Sequence, residues 1–143
     1  MKSVLISIQP KWCELITSGK KTIEVRKTRP KLETPFTVYI YCTKPVGKVI
    51  GEFVCDRIDT YGYDEHIGCL APAYVGDLSP YDIENGYWIY NYDHKNSCVN
   101  YDELVAYGKG KDLYGWHRSS LIIYDKPMSL SKKPPRSWYY VEE

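Results

Sequence analysis

From Thr22 to Lys27 hydrophobic and polar residues alternate, which predicts a β-strand with Thr22, Glu24 and Arg26 on one face and Ile23 and Val25 on the core face. Ahead of it, Ser3–Ile8 is short and branched, a first strand. Gln9-Pro10 then opens a helix, with Pro10 at the first helical position, Trp12, Leu15 and Ile16 at helical spacing on its inward face, and Gly19 as a left-handed terminator. The next stretch, T-R-P-K-L-E-T-P, reads as loop. Phe36–Cys42 is nearly all branched or aromatic and predicts a strand buried on both faces. A turn at Lys44-Pro45-Val46-Gly47 leads into a strand over Lys48–Asp59, in which Gly51 marks a bulge or a close backbone approach.

From Thr60 to Asn96 no period stands out, although Ser79-Pro80 suits the start of a short helix. Asn100–Tyr107 reads as a helix capped by Asn100, carrying Leu104 and Val105 and stopped by Gly108. Strands follow over Leu113–Asp125 and Ser137–Val141, the second stiffened at its approach by Pro134-Pro135. About six strands, two to four helices and no βαβ rhythm predict an α+β fold built on a small mixed β-barrel.

At 143 residues the expectation is one domain over 1–143, large enough to bury about two-thirds of its unfolded surface. Fifteen tyrosines and four tryptophans against two phenylalanines favour strands and supply rings that pack on one side and stack or hydrogen-bond on the other. The net charge of +1 argues against nonspecific coating of nucleic acid, but its distribution is uneven. The segments Lys20–Lys31 and Lys126–Arg136 together carry +9, and Glu52–Glu103 carries −9. If the two basic segments meet, they form a positive mouth on a neutral body; otherwise they are ordinary surface charge. The odd number of cysteines, with no C-x-x-C, argues against a disulfide framework. With no secretory or membrane-spanning apolar run, the expectation is a cytoplasmic protein without membrane contact.

The chemistry concentrates between Gly19 and Lys27. Glu24 suits the exocyclic amine of cytosine or the N–H edge of guanine, and Arg26 or Lys21 suits a carbonyl or phosphate oxygen. Trp116, Trp138 or a tyrosine would stack on the base, with His117 beside it, while Lys20, Lys27, Arg29 and Lys132-Lys133 meet phosphates. Lys21 and Glu24 would also serve as an acid–base pair acting through water. The plainer alternatives are a stiffening ion-pair cluster, lysines at a helix C-terminus, Thr22 as a strand former and aromatics as core. His66-x2-Cys69 and His94-x3-Cys98 have approximate zinc-ligand spacing but lack the usual C-x2-C pairs, so no metal is expected. Neither a phosphate-cradling glycine loop nor a catalytic-triad signature occurs, and no cofactor is expected.

The series I-S-I-Q-P-K-W, S-G-K-K-T-I-E-V-R-K, W-H-R-S-S-L-I-I-Y-D-K-P and P-P-R-S-W-Y-Y-V resembles the ASCH domain family, with its PUA-like β-barrel, over nearly the whole chain. The resemblance implies an open-barrel cleft, lined by the G-K-K-T-x-E-x-R element, that holds RNA, a nucleotide or a modified nucleoside; together with the reading of the residues themselves, the candidate contacts are Lys20, Lys21, Thr22, Glu24, Arg26, Trp116, His117, Ser137 and Trp138. Some ASCH proteins hydrolyse N4-acetylcytidine; others are described as ribonucleases or nucleic-acid-binding coactivator modules. In the amidohydrolase pattern Lys21 is the lysine, Glu103 the candidate later glutamate, and Glu24 stands where the threonine nucleophile belongs. A carboxylate nucleophile would pass through an anhydride instead of an ester, which weighs against amide hydrolysis. A third expectation is a protein-interaction module in which the acidic, tyrosine-rich middle binds an unspecified partner.

Overall fold

The computed structural model describes residues 2–64, 69–72 and 97–142. Its elements are β1 (Lys2–Ile8), α1 (Pro10–Thr17), β2 (Ile23–Arg26), β3 (Phe36–Cys42), β4 (Lys48–Asp64), β5 (Cys69–Pro72), α2 (Tyr101–Gly108), β6 (Leu113–Met128) and β7 (Trp138–Glu142). The hydrogen-bonded order is β2-β6-β4-β3-β1-β7, with β5 on β4. Among the described residues this path starts at β2 and ends at β7 without returning on itself, so the expected mixed sheet is present but does not close into the small barrel that the pattern predicts. Its mixed character comes from β1, which runs parallel to β3 with Val4 opposite Val38 and Ile8 opposite Cys42. Pattern alone did not indicate it, because a parallel pair depends on where the intervening chain crosses. The Ser79-Pro80 helix lies outside the described residues.

The chain groups into two compact units: Met1–Thr22 with Pro30–Arg57 and Arg118–Glu143, and Ile23–Arg29 with Ile58–His117. In the first unit β1 lies between β3 and β7. Val4, Ile6, Val38, Ile40 and Phe53 share one face by register and are buried. A second cluster gathers Leu5, Tyr41 and Val49 with Tyr39, Tyr124, Leu130, Tyr139 and Val141. Each such buried aliphatic side chain contributes about 1.5–3 kcal/mol of transfer free energy. The register shifts between Ile40 and Tyr41, opposite Gly51 and Val49. A Cβ on Gly51 would collide with the carbonyl oxygen of Ile122, so the register shift and the close backbone approach both occur at that glycine. Helix α1 starts at Pro10 and ends before Gly19 (φ +84°), whose N–H donates to the Ile16 carbonyl.

In the second unit Ile23 and Val25 pack with Tyr61, Leu70, Leu104 and Leu113. A Cβ on Gly115 would be 2.7 Å from the Tyr61 hydroxyl, so the missing side chain is what admits that ring. Helix α2 is capped by Asn100, as its sequence predicts; it ends with Lys109, and not Gly108, in the left-handed region (φ 50°).

Candidate functional site

In the second unit β2 supplies Glu24 and Arg26. Period-two geometry sends Ile23 and Val25 to the core and turns Glu24 and Arg26 to the other face. The guanidinium meets a single carboxylate oxygen, Oε1, with Nε at 3.0 Å and Nη2 at 2.9 Å. Glu24 is only 8% exposed, so this charge-assisted pair offsets the desolvation of the carboxylate and fixes its orientation. Across the ladder Glu24 is opposite Trp116 and Ile23 opposite His117.

Trp116 is fully buried, which removes it as a stacking platform: both faces of its ring are covered by protein. His117 Nε2 lies 2.7 Å from Oδ2 of the buried Asp59. Asp59 escaped the sequence reading because an acid at a strand position, 58 residues before its partner, carries no local signal. Tyr107 was missed as well. The Lys27 ammonium is 4.7 Å from its ring centroid. Burial pushes its phenol pKa upward, the nearby Arg26 charge and the Lys27 backbone N–H pull it down, and the Glu24 charge adds to the rise.

Glu103 is exposed and occupied in the cap of α2. Its N–H donates to Asn100 Oδ1 at 2.9 Å, and its Oε1 accepts from Asn100 Nδ2 at 2.7 Å. Glu103 therefore has a structural use, one that the Asn-x-x-Glu spacing already contained.

The other candidates fall in the first unit. Lys20 is exposed, whereas Lys21 is 2% exposed with its ammonium 5.0 Å from the Trp12 ring centroid. That cation–π contact contributes about 0.5–2 kcal/mol toward burying the charge. Lys21 and Thr22 precede β2, which covers a shorter span than the alternation predicted. Their conformation is set by the Lys21 N–H donating to the Leu15 carbonyl and by Arg118, whose Nε donates to the Lys21 carbonyl and whose backbone N–H donates to that of Thr22. The Ser137 carbonyl accepts the Ser7 N–H at 2.9 Å. Trp138 is half-buried and meets Tyr140 edge to face, centroids 5.3 Å apart at 86°.

His66 and His94 lie outside the described residues. Among the described residues no group of three His, Cys, Asp or Glu side chains is placed to hold a metal ion. No described helix is long and apolar enough to cross a membrane.

The ASCH domain model matches residues 6–106. A segment of 50 residues is 42% identical to an ASCH domain-containing ribonuclease of Zymomonas mobilis, covering 35% of this chain and 34% of that protein, so the match spans about a third of the relative's length. The crystal structure of ASCH from Zymomonas mobilis superposes with a TM-score of 0.70 at 20% identity, over 99% of this chain and 88% of that one. A Tyr-to-Phe variant of the same protein gives 0.72 at 20% identity, over 100% and 92%. At that identity the likeness is one of fold. The family pattern itself runs from β1 into α2 across most of the chain, and on that ground the protein belongs to the ASCH domain family.

Proposed function

We propose that this ASCH domain binds RNA and that the Gly19–Lys27 stretch is its recognition element. The observation that carries the reading is the Glu24–Arg26 pair: a buried carboxylate held in one orientation by a guanidinium is a selective acceptor for a base N–H edge. Exposed Lys27 and Arg29, in the same unit as the pair, supply phosphate contacts. The name of the Zymomonas mobilis relative, a ribonuclease, is consistent with an RNA ligand. In this reading the protein works in the cytoplasm on single-stranded RNA or its nucleosides, in a cleft of a partly open barrel.

Fluorescence anisotropy with labelled RNA oligomers at graded salt tests it. Log affinity is expected to fall with log salt by about 0.7 per phosphate contact, and Lys27→Ala and Arg29→Ala each to lower that slope by about one contact. Absent or salt-independent binding would sink the reading.

The His117–Asp59 pair favours a second reading, RNA cleavage. A buried aspartate beside a histidine fixes the orientation of the imidazole, as required of a base that takes a 2′-hydroxyl proton while the 2′-oxygen attacks the adjacent phosphodiester and the 5′-oxygen leaves. Cleavage of RNA but not of a 2′-deoxy analogue, lost in His117→Ala, is the expected signature. Hydrolysis of N4-acetylcytidine is expected to be absent, because Oε1 of Glu24 is held by Arg26 and Glu103 is held by the α2 cap. Cytidine release that disappears in Lys21→Ala would reverse that conclusion.

A further inference from the structure

The two basic segments picked out by charge both touch β7. Tyr140 Oη accepts the Lys31 N–H at 2.7 Å, which ties the end of the first segment to the strand. Tyr139 Oη donates to the Lys133 carbonyl at 3.2 Å, and Ser7 Oγ donates to that of Pro135 at 2.7 Å, which hold the second segment against β7 and β1. Lys31, Lys132, Lys133 and Arg136 are all exposed. β7 is the last strand of the sheet order, and its alternation puts Trp138 and Tyr140 on the same side. Tyr140 is 39% exposed, with Trp138 edge-on to it and the Lys2 ammonium 5.2 Å from its centroid.

A half-exposed ring braced by a second ring, with one ammonium beside it and a basic loop fastened to its hydroxyl, combines the two things that single-stranded nucleic acid needs: a π-face for a base and positive charge for the phosphates beside it. We propose that β7 carries a stacking subsite for single-stranded RNA, with Tyr140 as the platform and with Lys2 and Lys31 as phosphate contacts. Because one hydroxyl hydrogen bond fastens the platform to a basic loop, a strand stacked on Tyr140 has cations on its path at no further cost in ordering that loop. The subsite lies outside the Gly19–Lys27 element and extends the RNA reading, on which it rests.

The test is the affinity of wild type, Tyr140→Ala, Tyr140→Phe and Lys2→Ala for a labelled oligouridylate of about ten nucleotides, within the range that single-strand sites cover. Tyr140→Ala is expected to weaken binding about 5- to 50-fold, the loss of one stacked base. Tyr140→Phe keeps the ring but loses the tether to the Lys31 loop, so it is expected to weaken binding measurably yet less than Tyr140→Ala. Lys2→Ala reduces the salt slope by about one contact. Photo-crosslinking of the same oligomer carrying 5-iodouridine, mapped by mass spectrometry on the wild-type protein, reads the contact without a variant and is expected to mark Tyr140 or Trp138. Wild-type binding with unchanged affinity in Tyr140→Ala and crosslinks confined to other strands would overturn the subsite and leave the RNA reading standing. No binding by wild type would overturn both.

Discussion

Glu24 shows how far a single residue's role depends on its neighbour two positions on. Beside Arg26 its carboxylate is tolerable at 8% exposure; without it, the guanidinium, itself little exposed, would lose the charge that offsets its own burial. Glu24→Ala is accordingly expected to destabilise the protein by about 3 kcal/mol, a fall in Tm of roughly 10 °C. Glu24→Gln keeps an acceptor for Arg26 and should lose much less in the same thermal melt. Tyr124 supplies a second prediction. Its hydroxyl donates to Glu52 Oε1 at 2.8 Å, and burial, followed by that carboxylate, raises its pKa well above the usual phenol range. Since the folded state holds this proton more tightly than the unfolded chain, the associated stability is complete below about pH 10 and declines as pH rises through the folded value. Tyr124→Phe should flatten the alkaline decline in Tm, and an unchanged pH profile would refute the assignment.

At the scale of elements, α2 can be read almost completely from local sequence. Asn100 and Glu103 close a reciprocal cap, Leu104 faces the core of the second unit, and the exposed face carries acids in the first turn, where the helix dipole favours them. Asn100→Ala is expected to cost about 1 kcal/mol, measured by denaturant titration with an unchanged m-value. β2 was less complete in the sequence. Its alternation identified the core face, yet the strand starts at Ile23: the Arg118 N–H still meets the Thr22 carbonyl in register with β6, but the Lys21 N–H turns to the Leu15 carbonyl at the end of α1. β4 extends five residues beyond the span predicted, to Asp64, where its pairing with β5 maintains an extended chain that no pattern announced.

Across the whole molecule, a net charge of +1 hides the separation between basic and acidic segments, so under the proposed RNA reading affinity is expected to be set by local cations and not by net charge. That makes the salt slope, rather than affinity at one salt concentration, the informative quantity for every variant named above. What the sequence determined by itself is what neighbouring residues decide: the bounds of α1 from Pro10 and Gly19, the cap of α2, the inward face of β2, and the close approach at Gly51. These follow from dihedral preference and side-chain period, which act over a few residues. Tertiary structure alone decided the parallel pairing of β1 with β3, the full burial of Trp116, the His117–Asp59 contact and the tether from Tyr140 to Lys31, 109 residues away. Each depends on the register between distant segments, and a one-residue slip in any of those strands would send the same side chains to opposite faces.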